Sequence, residues 1–294
     1  MMVTLDAADV LLPAVGELCE GPCWDIRSQR LFFVDILAGR VHAVEVTGAR
    51  HETWEVGEPI SAIAPRDAGG WVAAVERGFA LFDNDWHRLG EVLAPAQRPT
   101  RLRFNDGRGD PRGRFWAGTL AYDGTPGAAS LYCLDTDSTI TEMLHGVTNS
   151  NGLAWSADAG TMYYVDTGLG TVDALAFDAD RALLSDRRTL VKLAPGEGDP
   201  DGLTIDSEGF LWLALWDGGC IRRYTPRGEL ERTVRLPVER VTSMAFGGPD
   251  LEDIFITTAW QGLTPTQRAE QPLAGSVFYY RPGVTGLPPA SFAG

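Results

Sequence analysis

Asp199-Pro-Asp-Gly-Leu-Thr-Ile-Asp-Ser-Glu-Gly-Phe-Leu-Trp-Leu-Ala-Leu-Trp-Asp-Gly218 is the stretch that decides the fold. It reads as a polar turn at Asp201-Gly202, a short strand, a tight turn at Ser207-Glu-Gly209 and a second strand over Phe210–Leu215. The same design recurs five times. Aligned on the slot held by Asp201, the others are Glu20, Ser61, Asp106, Asn151 and Ser243, and the successive spacings along the chain are 41, 45, 45, 50 and 42 residues. Strand pairs repeating at that period are propeller blades, because one four-stranded unit cannot bury both of its faces alone. The predicted fold class is therefore all-β. It is a six-bladed β-propeller of four-stranded blades, one domain over residues 1–294, closed by an N-terminal strand (about 3–10) in the last blade.

Working outward, blade one is expected over about 15–56, with strands Arg30–Asp35 and Arg40–Glu45, and blade two over about 57–98. Blade three starts near 99, and blades four to six carry Thr161–Asp166, Cys220–Tyr224 and Asp253–Thr258. These runs are rich in Val, Ile and aromatics and are bounded by Gly, Asp and Pro. No long amphipathic helix is expected. Three long loops, Ala121–Ala129, Leu193–Asp201 and Ala259–Ala274, flank inner-strand segments and are expected to cover one end of the central channel.

A net charge of −15 argues against nucleic acid and anionic membrane surfaces, since both are polyanions, and fits a cation or a neutral ligand. The N-terminus carries acids where a secretory signal has basic residues, and no apolar run approaches a membrane span. A cytoplasmic protein, monomer or small homo-oligomer, is expected. Cys19, Cys23, Cys133 and Cys220 form neither a disulfide framework nor a zinc pattern, so they read as buried thiols.

In a propeller the innermost strands line the channel, and equivalent slots face one point near the axis. Four of the six slots (Glu20, Asp106, Asn151, Asp201) offer acid or amide oxygens. A ring of hard oxygens suits Ca²⁺, Mg²⁺ or Mn²⁺. Taken singly, each Asp-Gly or Asn-Gly pair also reads as an ordinary turn; four in register favour a metal site. Other chemistries lack their residues. There is no Gly-x-Ser-x-Gly elbow, and histidines 42, 51, 87 and 145 are scattered. Asp135-Thr-Asp137 and Asp178-Ala-Asp180 read as hairpin turns.

The sequence resembles the SMP-30/gluconolactonase/regucalcin-like family of sugar lactonases. The resemblance rests on Glu20-Gly-Pro-Cys-Trp24, Arg103-Phe-Asn-Asp-Gly107, Gly113-Arg-Phe-Trp-Ala-Gly-Thr119, Ser150-Asn-Gly-Leu153 and Pro200-Asp-Gly-Leu203. Ile256-Thr-Thr-Ala259 and Gln271-Pro-Leu-Ala-Gly275 extend it, and it covers nearly the whole chain. It implies one catalytic divalent metal ion (Ca, Zn, Mn, Mg or Fe) on Glu20, Asn151 and Asp201. It further implies Asp201 as general base and Arg103 and Asn105 as substrate contacts, with Asp106 beside them among the substrate-binding candidates. Arg103 has an alternative role, pairing with Asp106. Cys19 departs from the glycine usual before the metal-binding Glu. Strand alternation turns it away from Glu20. The implied activity is hydrolysis of a small-molecule sugar aldonolactone. The alternatives are a non-catalytic calcium-binding regulatory propeller, or a hydrolase of another ester or a phosphotriester.

Overall fold

A computed structural model describes residues 4–46, 50–96 and 101–294. Residue 3 and the expected junction of blades two and three at 98–99 lie outside the described residues. The chain opens with β1 (Thr4–Ala7) and β2 (Asp9–Leu12). Blade one is β3 (Cys19–Asp25), β4 (Arg30–Asp35), β5 (Arg40–Glu45) and β6 (His51–Glu55). Blade two is β7 (Ile60–Pro65), β8 (Trp71–Val75), β9 (Phe79–Phe82) and β10 (Arg88–Leu93). Blade three is β11 (Leu102–Gly109), β12 (Phe115–Ala121), β13 (Ala129–Leu134) and β14 (Ile140–Val147). Blade four is β15 (Ser150–Trp155), β16 (Thr161–Asp166), β17 (Thr171–Asp178) and β18 (Leu183–Lys192). Blade five is β19 (Asp199–Ile205), β20 (Leu211–Trp216), β21 (Cys220–Tyr224) and β22 (Leu230–Arg235). Blade six has β23 (Val241–Gly247), β24 (Asp253–Thr258) and β25 (Val277–Tyr280).

Each blade is an antiparallel meander, and β2 supplies the fourth strand of blade six by pairing with β25. The N-terminal segment expected to do this as one strand is split in two. β1 instead lies parallel to β22 at the outer edge of blade five, and only residues 9–12 enter blade six.

The buried side chains form six clusters among the described residues, one per blade interface. Blades one and two meet through Phe32, Val34, Trp71 and Trp86, and blades three and four through Trp116, Trp155 and Tyr164. The seam between blades six and one is shut by Trp24 stacked on Phe255, ring centroids 5.7 Å apart. Each interface is a face-to-face sheet packing, so burial on both faces explains why the inner three strands read as nearly continuous apolar runs.

Hairpins at the lower ends of the inner strands carry an aspartate that ties the turn to the next strand. Asp110 accepts from the Arg112 and Arg114 amides and from Trp116 Nε1. Asp206 repeats this with the Glu208 and Phe210 amides and Trp212 Nε1. Asp135 and Asp178 cap hairpin turns as expected, accepting from the amides of Thr136 and Asp180. The four cysteines are free thiols. Among the described residues no helix is long and apolar enough to cross a membrane.

Two of the four histidines meet. His42 is buried on Phe33, and its Nδ1 lies 3.1 Å from His51 Nε2 and 3.0 Å from Thr53 Oγ1. Burial, then His51 and Arg40, push His42 down to about 4 from 6.5. Between those values the unfolded chain binds a proton that the folded chain refuses, so stability rises with pH across that window. Lowering the pH from 7 to about 4 should therefore remove on the order of 3 kcal/mol through this residue. Denaturant midpoints across that range should fall less steeply in His42→Gln than in the wild type; parallel profiles would rule out the linkage.

Candidate metal and substrate site

Every one of the six slots lies at a register shift in its inner strand. The irregularities fall between Glu20 and Cys23, Ile60 and Ala62, Phe104 and Gly107, Ser150 and Leu153, Pro200 and Leu203, and Val241 and Ser243. The Asp-Gly and Asn-Gly pairs are thus inside strands, not in turns. A bulge breaks strict alternation and re-aims a side chain. The following glycine allows the next inner strand to come close. A Cβ on Gly152 would stand 2.3 Å from Leu203 N, and one on Gly202 2.2 Å from Ser243 Oγ.

The bulges gather Glu20, Asp106 and Asp201, all buried, within electrostatic reach of one another. Burial first, then Asp106, push Glu20 up to about 8, while the Gly21 amide and Arg103 oppose the shift. Asp201 is raised by burial, Glu20 and Asp106, against the pull of Arg103 and a hydrogen bond from Asn151. Asp106 is raised by burial and held down by Arg108 and the Gly107 amide, which donates to Oδ1 at 2.7 Å.

Asn151 is oriented from two sides. Its Nδ2 donates to Thr167 Oγ1 at 2.8 Å, and Thr167 Oγ1 donates to the Pro200 carbonyl at 2.8 Å. Its Oδ1 accepts from Asn105 Nδ2 at 3.3 Å. Asn105 Nδ2 also faces the Ser150 carbonyl at 3.0 Å and Asn149 Oδ1 at 3.3 Å. Arg103 Nη1 donates to Asn105 Oδ1 at 2.8 Å and to the Phe104 carbonyl at 3.0 Å. Asn105 therefore spends its hydrogens joining blades three and four. The donors left for a ligand are chiefly those of Arg103, whose guanidinium carries five N–H groups.

Arg103 forms no ion pair with Asp106. Its charge acts on Glu20 and Asp201, and the cation beside Asp106 is Arg108. Arg108, Thr167 and Asn149 were not among the residues singled out from sequence. A charged residue two positions after a slot on an inner strand was the available signal for Arg108. Nothing local marks Thr167 or Asn149. Ser61 and Ser243 hold the remaining two slots; the Ser61 hydroxyl is turned to the Ala74 carbonyl at 3.2 Å. Cys19 is directed into the seam of blades six and one, with Sγ 3.6 Å from the Gly275 carbonyl, and burial pushes its thiol up.

The donor set fits a divalent cation. Two buried carboxylates, Glu20 and Asp201, and the Asn151 amide oxygen form a hard-oxygen cluster whose negative charge Arg103 offsets only in part. Among the described residues no three His, Cys, Asp or Glu side chains form a metal-holding group, so the amide is needed to complete the set.

Of the three long loops, 121–129 and 259–274 join second to third strands, and 193–199 leads into β19. In a four-stranded meander those connections lie at the end where inner strands begin, which is where Arg103 and Asn105 stand. The 259–274 loop holds a short helix, α1 (Pro265–Glu270), with a capping box from Thr264 to Gln267.

A six-bladed propeller with an oxygen-rich axial site defines the class. The chain belongs to the SMP-30/Gluconolactonase/LRE-like family, whose model matches residues 18–260. It is 39% identical to regucalcin of Danio rerio over 283 residues, covering 95% of this chain and 96% of that protein. Among solved structures, a luciferin-regenerating enzyme aligns with a TM-score of 0.90 at 31% identity, over 98% of this chain and 99% of the other. The calcium-binding protein regucalcin from Agrobacterium tumefaciens aligns with a TM-score of 0.91 at 25% identity, over 99% of both chains.

Gly202→Ala should destabilise the ring, because the added methyl meets Ser243 backbone as well as its side chain. A loss of about 1–3 kcal/mol is expected, read as a Tm lowered by several degrees. Gly160→Ala, whose Cβ would make only an ordinary contact at 3.4 Å, serves as the control and should change Tm little.

Proposed function

We propose that this protein is a divalent-metal-dependent hydrolase that opens a sugar aldonolactone to the aldonic acid. The observation that carries the reading is the pairing of a buried hard-oxygen set with a fixed guanidinium at the same end of the channel. Family membership supports it. Glu20, Asn151 and Asp201 would hold the metal. Bound there, a divalent ion acts as a Lewis acid toward the lactone carbonyl. Asp201 would take the proton of the attacking water as general base. Arg103 donates to ring hydroxyls through the N–H groups that Asn105 and the Phe104 carbonyl leave free, and Asn105 holds that guanidinium in place.

A second reading is a calcium-binding regulatory propeller without turnover. It is favoured by the all-oxygen donor set and by the calcium-binding description of the Agrobacterium relative. A polyhydroxylated substrate explains Arg103 better than a calcium store does, since a buffer site needs no cation beside its carboxylates.

Protein stripped of metal with a chelator should lose hydrolysis of an aldonolactone panel and keep its far-ultraviolet circular dichroism. Adding back Ca²⁺, Zn²⁺, Mn²⁺, Mg²⁺ or Fe²⁺ one at a time should restore activity with at least one of them. Full activity after verified metal removal rejects the metal role. Absence of turnover with every metal shifts the function to the regulatory reading.

Arg103→Ala separates hydroxyl recognition from structure. Loss of one charge-assisted hydrogen bond should lower kcat/KM for aldonolactones about ten- to a hundredfold. A plain butyrolactone, which has no hydroxyls to hold, should be little affected. Equal losses on both substrates would remove Arg103 from recognition.

A further inference from the structure

Beyond the slots, toward the ends of the inner strands, the channel widens into a cavity of about 300 Å³. Of the six predicted site residues only Asp106 lines it. Apart from Ser243, itself a slot, the inner-strand lining positions follow the slots: Pro22 to Trp24, Ile63, Arg108, Trp155, Thr204 and Phe246 among them. Arg108 thus lies on the chamber's side of the carboxylate layer, and Arg103, before the bulge of the same strand, on the other. The floor of the lower chamber is a C-terminal strap, Leu287-Pro-Pro-Ala290.

The strap is pinned at both ends. Ser207 N donates to the Thr285 carbonyl at 2.9 Å and Gly286 N to the Leu251 carbonyl at 2.8 Å. Phe292 N donates to the Pro65 carbonyl at 2.8 Å, and Ala293 N to the Gly113 carbonyl at 2.9 Å. Its two prolines have no N–H to tie down.

Arg108 is the unusual occupant of this wall. Its hydrogen bond runs from Nη1 to Thr204 Oγ1 at 3.0 Å, and among the described residues it makes no ion pair. Asp106 influences it through space but is itself held by the Gly107 amide. Arg108 is half-buried, and N–H groups it does not spend on Thr204 can meet an acceptor in a chamber walled by indoles, Phe246, Ile63 and prolines, with Asp106 also on its lining. A planar carboxylate matches two of its N–H groups at once. Apolar walls suit a flat hydrocarbon body better than a sugar.

We propose that the lower chamber is a binding site for a small organic carboxylate with a flat apolar body, anchored by Arg108 and seated between Trp24, Trp155 and Phe246. Of the residues assigned to the lactone site it shares only Asp106.

Sodium benzoate is the probe, and benzamide its uncharged counterpart. Benzoate at about 20 mM should raise Tm and change tryptophan fluorescence saturably, with a dissociation constant in the millimolar range or tighter. Benzamide should do neither. In Arg108→Met the constant should rise about tenfold or more, while Arg103→Met keeps the wild-type response. Ala245→Leu fills the chamber without touching the anchor; it should also block binding, and it serves if Arg108→Met does not fold. Three results overturn the proposal: no response of the wild type, an equal response to benzamide, or a response that follows Arg103 instead of Arg108.

Discussion

The structure depends on how closely six inner strands can approach one axis. Strands lined by ordinary side chains would fill the channel and force the blades apart. Here each inner strand is kinked by a bulge at the same level. At Gly152 and Gly202 the next blade's backbone stands where a Cβ would be. The close ring brings three carboxylates together in a place that water scarcely reaches. A cation placed among them would relieve the electrostatic cost of that grouping. The bulge and the charge cluster are therefore one feature seen at two levels, backbone and chemistry.

The two inner-strand arginines divide the channel. Arg103 precedes the bulge of β11 and Arg108 follows it, so they fall on opposite sides of the carboxylate layer. Arg103 offsets Glu20 and Asp201; Arg108 offsets Asp106. Without either, the buried negative charge would be worse compensated still. The hydrogen bonds of Asn105 and Thr167 tie Arg103 and Asn151 to neighbouring blades, so the site is assembled across blade boundaries and not within any one of them.

Packing explains why such a ring holds together. Each blade shares an apolar cluster with the next, and the seam between blades six and one is stacked like the others. The C-terminal strap adds a tie across the lower end, with Phe292 buried between blades two and three. The N-terminus contributes twice, closing blade six through β2 and extending blade five through β1.

Much of this was legible in the sequence by itself. The repeat period, the strand pairs and the slot residues follow from local pattern, because a strand's composition and its bounding turns are written in consecutive residues. So Arg30–Asp35 and Arg40–Glu45 could be placed to the residue, and Glu20, Asn151 and Asp201 could be aligned. The resemblance carried by Arg103-Phe-Asn-Asp-Gly107 named roles that pattern alone does not assign. What tertiary structure decided was everything that depends on which strands become neighbours. Asp201-Gly202 reads locally as a turn, yet it lies within β19, because pairing with β20 and the closeness of blade six overrule turn propensity. Thr167 orients Asn151 from 16 residues away, and Asn105 reaches across to blade four at Ser150. Asp106 falls to Arg108 and not Arg103, and the strap of residues 287–290 becomes the floor of a chamber. These outcomes rest on distances across the axis, which the order of residues along one strand does not contain.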